Sequence, residues 1–485
     1  MSCDRKECYL AIDSGTSSIR VGLLDENLNV FKIKRIERLA QNNMSAEKEW
    51  GLIAQLIRQI FEENPSVGIV SVGVSQFISW MVIDERGNPL TDVYLYSDQK
   101  IDELKRAIEL IGAKEIYERT ARRPSSEFGI LKLLHLKNND TNLYNKACFL
   151  ISMKDYVNYK LTGEIFTDYT SACYSMALNV KEKCWDPEIL DRFDISPGKL
   201  PPLKYGAEIV GRTSKTCREE LGLQEGIPVA AGGPDGSLGI IGAAGSDHGV
   251  FASVMGTTDV CFVMTEKPVL DGQSKGLITN ISPIRDIWMV GGPTGFSGGT
   301  VDWFIKNFTQ SCSFNELTDK ARFVPAGSGG LLMNLGITGE RAPIWNSGML
   351  GSIVGLNPDT KPEHIFRAMM ESNAYLSRSI YDMIDEAGVA VNRMVATGGG
   401  ASNPLWMEIK ASVMKLPLSV PKERQSTLRG AGILAMLCAD PGGKILPQEM
   451  TQFFPDEAAQ KDYDYLYIRY KEFIKSLNNY YLYND

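Results

Sequence analysis

A chain of 485 residues, 44% hydrophobic and 23% charged, has the composition of an ordinary globular protein and the length for two or three domains with sizeable cores. Its formal net charge of -8 argues against a nucleic-acid partner, and no stretch reaches the roughly 18 apolar residues of a membrane span, so neither a nucleic acid nor a membrane is expected. Nine cysteines without a CxxC spacing, three unclustered histidines and a first segment without a leader pattern predict free thiols in a cytoplasmic protein that lacks a zinc site.

Residues 8–25 (CYLAIDSGTSSIRVGLLD) predict strand, tight turn, strand, with Asp13, Ser14, Gly15, Thr16, Ser17 and Ser18 between two apolar runs. A third strand is expected over 30–36. A helix follows over 45–62, capped by Ser45, with Glu47 and Glu49 in its first turn and Ile53, Leu56, Ile57 and Ile60 at helical spacing. Residues 68–76 are a nearly all-apolar strand of the buried kind, and 80–84 (WMVID) add another. This β-β-β-α-β order makes a mixed sheet rather than a dinucleotide-binding βαβ repeat. Residues 104–137 are mostly helical with a break at Pro124, 148–164 run from strand into a short helix, and 165–202 are rich in loops. GIPVAAGGPDGSLGIIGAAG (226–245) is strand, glycine-rich turn and helix, and it closes a first half.

The second half opens at 249–268 (GVFASVMGTTDVCFVMTEKP), which repeats the first hairpin with Gly256, Thr257 and Thr258 at the turn. Residues 287–305 predict strand, glycine-rich loop and helix, 331–345 strand then loop, and 362–388 a helix. Residues 392–414 are strand, glycine turn and helix; 428–437 form a helix of small residues; 462–485 form a terminal amphipathic helix. No low-complexity tract or Ser/Pro-rich linker separates the halves, so they are expected to pack closely around a cleft.

The two hairpin turns present glycine amides and hydroxyls with little bulk in the way, which suits a polyphosphate. Asp13 leaves the first strand into its turn, where a carboxylate suits a Mg²⁺ whose other ligands are waters and phosphate oxygens. Taken alone, Asp13 also fits a turn-former bonded to its own backbone. Asp235, just ahead of a helix in GGPDGSLG, fits either an N-cap or a general base that takes a proton from an attacking hydroxyl. Gly398, Gly399, Gly400, Ala401, Ser402 and Asn403 form a third glycine turn that admits a flat base or a sugar. No GxxxxGK[ST] loop is present, which excludes a P-loop ATPase.

In this order the segments resemble one family, the FGGY carbohydrate kinases, over nearly the whole chain. The resemblance implies an α/β fold of two duplicated ribonuclease H-like (actin-like ATPase) domains, each a mixed five-stranded sheet flanked by helices, with a cleft between. Residues 1–246 would hold the sugar site, the first phosphate hairpin and the catalytic aspartate. Residues 247–485 would hold the second phosphate hairpin, the adenosine site and the C-terminal helix. DSGTSSIR resembles the first phosphate motif, which implies Asp13 near Mg²⁺, largely through water, and Gly15, Thr16, Ser17 and Arg20 near the phosphates of ATP. MGTTD resembles the second, which implies Gly256, Thr257 and Thr258 there too. ATGGGASNPLW resembles the adenosine motif, which implies Gly398, Gly399, Gly400 and Asn403 along the adenine and ribose. GGPDGSLG aligns with the segment of the catalytic acid, which falls on Asp235, a second candidate for the metal.

The sugar pocket departs from the pattern. SQFIS (75–79) resembles a stretch that reads GQMHG in xylulokinases, so a polar histidine has become Ile78. YLYSDQK (94–100) resembles WxDxR; Asp98 is retained, with Tyr96 and Lys100 at the tryptophan and arginine positions. A site built for xylulose loses discrimination by such changes, so plain xylulose is not the expected substrate, while another pentulose, a hexulose, a polyol or an aldonate remains open. Gln76, Phe77, Ile78, Trp80 and Asp98, with Asp235, are the expected substrate-binding residues, Trp80 equally fitting core packing.

The reading is an ATP-dependent sugar kinase with Asp235 as base. The alternative is a non-catalytic nucleotide- and sugar-binding sensor on the same fold. Dimers are frequent among the resembling proteins, so a homodimer is an expectation by analogy alone.

Overall fold

A computed structural model describes residues 6–38, 44–270, 276–309 and 312–482. Two sheets of seven strands dominate it. The first runs in the order Ile209–Arg212, Pro228–Ala230, Val67–Gln76, Lys6–Ser14, Ser18–Leu24, Val30–Glu37, with Gly233–Pro234 also on Val67–Gln76. The second runs Ile278–Ile281, Trp288–Phe296, Thr258–Thr265, Val250–Met255, Arg393–Thr397, Leu418–Pro421, Met450–Phe453.

The two sheets share one plan. In each, three strands pair antiparallel as a meander, and the first of them pairs parallel with a strand from further along the chain. Each expected five-stranded sheet is thus extended by two strands: Ile209–Arg212 and Gly233–Pro234 in the first, and the edge strands Ile278–Ile281 and Met450–Phe453 in the second. The early hairpins form as the alternation of apolar runs and turn residues predicts. Gly15 N–H donates to the Ser18 carbonyl at 3.0 Å and Gly256 N–H to the Thr258 carbonyl at 2.9 Å.

The Ala46–Glu63 helix has the Ser45 cap that its sequence announces, and Ile53, Leu56, Ile57 and Ile60 are buried against the first sheet. Each such aliphatic side chain contributes about 1.5–3 kcal/mol on full burial. Glu49 departs from expectation. Instead of only facing the helix dipole it is buried, accepts the Ser14 hydroxyl at 2.5 Å and pairs with Arg38. It thereby fastens the end of the strand that carries Asp13.

One expected loop is strand. GGPTGF continues Trp288–Phe296, because Gly291 and Gly292 let it lie against its neighbours. A Cβ at Gly291 would stand 2.0 Å from the Cys261 carbonyl, and one at Gly292 2.6 Å from Ala342 Cβ.

Two helices join the halves. Asp235–Ala244 packs on Val250–Met255 and Arg393–Thr397 of the second sheet, and Ser426–Ala439 packs on Lys6–Ser14 and Val67–Gln76 of the first. Each thus covers the sheet of the opposite half, and the two press against one another backbone to backbone. A Cβ at Gly242 would lie 1.8 Å from the Ser426 carbonyl, and one at Gly430 2.0 Å from that of Leu238. The small residues of both helices permit this contact. The terminal helix, Glu457–Leu482, buries Tyr463, Leu466, Tyr467 and Tyr470 on the second core, as its amphipathic pattern predicts. No helix among the described residues is long and apolar enough to cross a membrane. Cys148, Cys173, Cys184, Cys217, Cys261, Cys312 and Cys438 are free thiols.

Candidate active site

The carboxyl ends of the central strands converge on one place. Asp13 stands opposite Ser75 on the adjacent parallel strand, and Ser75 is opposite Gly233, so two residues further the chain delivers Asp235 beside them. The approach to Asp235 is held from below. The buried Lys154 donates to the Ala231 carbonyl at 2.8 Å and pairs with Asp155 and Asp168, while Asn158 donates to the same carbonyl at 3.0 Å. A Cβ at Gly232, with φ of 77°, would strike the Val74 carbonyl at 2.1 Å, so only glycine turns the chain there. Asp235 is the first residue of its helix, with Pro234 at the cap position; the N-cap role open to it from sequence is not the one it takes. Its carboxylate accepts the Gly236 N–H at 2.7 Å.

Asp13 is fully buried and meets Arg20 Nη2 at 2.5 Å across the hairpin. Its other neighbour is the buried Ser75 hydroxyl on the adjacent strand, which with Arg20 favours the ionised carboxylate. Burial pushes the Asp13 carboxyl up to about 6; Arg20 opposes the shift and the negative charge of Asp235 adds to it. Burial also raises Asp235, against the Gly236 N–H and the Arg20 charge. A pair of acids whose ionised forms are desolvated and mutually repelled is suited to hold a cation or to take up a proton. Among the described residues no three His, Cys, Asp or Glu side chains cluster, so any divalent ion here would rest on Asp13, Asp235 and ligand oxygens.

The first-hairpin residues Thr16 and Ser17 are exposed, as are Gly256 and Thr257 on the turn of the second hairpin, with Gly15 and Thr258 half-buried. Arg20 also reaches the second half, where Nη1 donates to Gln425 Oε1 at 3.0 Å. Beyond Arg20 opens a cavity of about 680 Å³, lined by Gly398, Gly399 and Thr397 on one side and by Lys422, Arg424, Ser426 and Thr427 on the other. Gly398, with φ of 92°, lies so near the Met255 carbonyl that a Cβ would stand 2.6 Å from it. Two of the expected adenosine residues do not line this cavity. Gly400 packs on Met255 and Trp406, and Asn403 is turned inward, capping Trp406 N–H at 3.2 Å and donating to Thr318 at 2.8 Å.

On the other side of Asp13, Gln76 is buried with both amide atoms lacking a hydrogen-bonding partner, which suits a ligand-facing amide. Phe77 packs in the first core under Arg38, and Ile78 packs at the edge of a second cluster. Trp80 belongs to that cluster and stacks on Gly129, although its indole N–H also lacks a partner. Asp98 pairs with Lys100 at 2.8 Å, and Lys132 donates to its carbonyl. Burial lowers Lys132 to about 8, opposed chiefly by the Asp98 charge.

The family model for the N-terminal domain of the FGGY family of carbohydrate kinases matches residues 8–242, and that for its C-terminal domain matches residues 251–439. The chain belongs to the FGGY family of carbohydrate kinases. This FGGY kinase is 27% identical over 485 residues to a xylulose kinase of Bacillus subtilis, covering 95% of each chain. It is 28% identical over 455 residues to a gluconokinase of the same organism, covering 90% of this chain and 88% of the other. A gluconate kinase and a ligand-bound xylulose kinase from Lactobacillus acidophilus each superpose with a TM-score of 0.91 at 23% identity, over 99% of this chain and all of theirs, which shows the shared fold. The protein is therefore an enzyme, a carbohydrate kinase, with the two-domain α/β fold of that family.

Sequence alone does not single out several polar residues of this candidate site in the FGGY kinase. Ser75, Gln425, Lys422 and Arg424 are polar residues in strands or short connections, and only the folded chain brings them to Arg20 and the glycine turn. The signal that the sequence offers for two of them is the pair of cations Lys422 and Arg424 just ahead of the helix that holds LRGAGILA.

Proposed function

We propose that this enzyme transfers the γ-phosphoryl group of ATP to a hydroxyl of a small ketose, polyol or aldonate, with Asp235 as general base. The observation that carries the reading is the meeting of Asp13, Arg20 and Asp235 at the carboxyl ends of the central strands, beside the first glycine hairpin. In phosphoryl transfer the protein supplies mainly position and charge neutralisation. Gly15, Thr16, Ser17 and Arg20 would hold the phosphates from one half, and Gly256, Thr257 and Thr258 from the other. The cavity beside Gly398 and Gly399 has the volume for a nucleoside. Gly400 and Asn403 would serve that site by shaping the turn.

The buried Asp13 carboxylate at the end of its strand, with Asp235 as a second carboxylate, fits a divalent cation. Mg²⁺ would supply charge neutralisation between the phosphates. Asp235 would accept the proton of the attacking hydroxyl, a task favoured by its raised pKa. Gln76 and Asp98 would bind substrate hydroxyls, with Phe77, Ile78 and Trp80 forming the apolar side of the pocket. The reading divides the chain at 246/247, assigns the enzyme to the cytoplasm in keeping with its free thiols, and allows a homodimer.

The test is ADP release with ATP and Mg²⁺ on a panel of pentuloses, hexuloses, polyols and aldonates, beside Asp235→Ala. Turnover of one compound, lost in the variant, is expected. Tight ATP binding with no turnover on any compound would favour a nucleotide- and sugar-binding sensor.

A further inference from the structure

Under the second hairpin lies a closed polar network that the reaction itself does not use. Lys410 and Asp259 are both fully buried, 2.7 Å apart. The Lys410 ammonium spends its three protons on Asp259 Oδ2, Ser253 Oγ at 2.8 Å and Asn373 Oδ1 at 3.3 Å. The Asp259 carboxylate accepts in addition from Ser253 at 2.7 Å and Asn373 Nδ2 at 3.0 Å. Asn373 also donates to Ser297 Oγ at 3.0 Å, and its carbonyl oxygen accepts Trp406 Nε1–H at 3.1 Å.

The two turns proposed for the nucleotide and a third segment that backs one of them meet in this network. Asp259 directly follows the turn Gly256–Thr257–Thr258. Ser297 precedes the Gly298–Phe308 helix and donates its N–H to the Thr257 carbonyl at 2.9 Å, as Gly299 does at 3.0 Å. Trp406 stands in the first turn of Pro404–Met414, the helix that leaves the glycine turn 398–403. A buried ion pair seldom stabilises a core more than apolar residues of the same volume would. What a fully satisfied network does supply is a single arrangement of the parts it joins.

We propose that Lys410 and Asp259 are positioning residues for ATP: they brace the second phosphate turn against the turn at 398–403, so that both face the nucleotide in one fixed relation. This rests on the reading of those turns as the nucleotide site. Nothing in the brace reaches the Gln76 side, so its loss weakens the nucleotide and spares the sugar.

The test separates positioning from stability. In Asp259→Leu/Lys410→Met the charges leave together and apolar volume replaces them, which preserves folding where Lys410→Met alone strands a buried carboxylate. Trp406→Phe removes one hydrogen bond of the network and keeps the aromatic packing. For the folded full-length variants, KM for ATP is expected to rise roughly tenfold in the double variant and a few-fold in Trp406→Phe, with KM for the sugar within about twofold of the parent. An ATP KM unchanged in Trp406→Phe, or in a double variant as stable as the parent, overturns the proposal, as does a rise in both KM values together. Gly399→Arg is the control. A Cβ there meets nothing within 4 Å, so the fold tolerates it while the side chain enters the cavity. If Gly399→Arg leaves the ATP KM unchanged, the nucleotide reading falls and the brace with it. If it raises KM while the network variants do not, the brace alone falls.

Discussion

Burial of acids sets the pH behaviour of single residues here. Glu340 is buried with both carboxylate oxygens close against Gly336 and Gly295, and burial pushes its carboxyl up to about 8, against bonds from Gly336 and Asn334. The folded form therefore holds a proton that the unfolded chain has already released above about pH 4.5. Stability from this group is full below that pH and is lost as pH rises towards 8. Glu340→Gln is expected to remove that decline, a difference of a few kcal/mol between pH 5 and 8, read by urea unfolding. Equal pH dependence in parent and variant would reject the assignment. In the proposed role of Asp235 the ionised form is the base, so a raised pKa would move the acid limb of kcat above the roughly pH 4 of an ordinary carboxylate. Asp235→Asn is expected to lower kcat by about 10²–10⁴ with KM values little changed, and a kcat profile flat down to about pH 4 would contradict the role. Asp13 and Asp235 were visible in sequence because each stands at a strand end beside glycine. Gln425 and Lys410 were not, since a polar residue in a helix or short connection looks the same whether it faces solvent or a buried partner.

At the level of elements, hydrophobic periodicity and turn chemistry located both hairpins, the Ala46–Glu63 helix and the glycine turn before Pro404–Met414. They misjudged GGPTGF, where glycine marks close approach within a strand rather than a turn. The same distinction separates two glycine substitutions. Gly51→Ala lies in a helix interior with nothing near its Cβ and is expected to stabilise by about 0.5–1 kcal/mol. Gly242→Ala sets a methyl 1.8 Å from the Ser426 carbonyl at the crossing of Asp235–Ala244 with Ser426–Ala439. It is expected to cost about 1–3 kcal/mol or more and to lower kcat, because the helix it displaces carries Asp235. Urea midpoints with kcat on the same samples check both; a Gly242→Ala enzyme of parental stability would mean that the crossing yields.

Across the whole molecule the two crossing helices decide behaviour. Each is covered by the sheet of the other half, so one face of each sheet is buried only when the two halves are together. A single unfolding transition, coincident by fluorescence and circular dichroism, is expected despite the length of the chain; two resolved transitions would show the halves to be independent. Saturation with ATP and Mg²⁺ at about 100 times Kd is expected to add roughly 2.7 kcal/mol of stability, with Asp235→Asn keeping that gain while losing turnover. Sequence by itself determined the duplicated order of strands and helices, the glycine turns and the two acids at strand ends, because period, turn chemistry and capping are local properties. Only the tertiary structure decided which polar residues meet: Arg20 with Gln425, Lys410 with Asp259, and the inward turn of Asn403. Those pairings join residues far apart in the chain, and their partners are fixed by how sheets and helices pack, which no local pattern encodes.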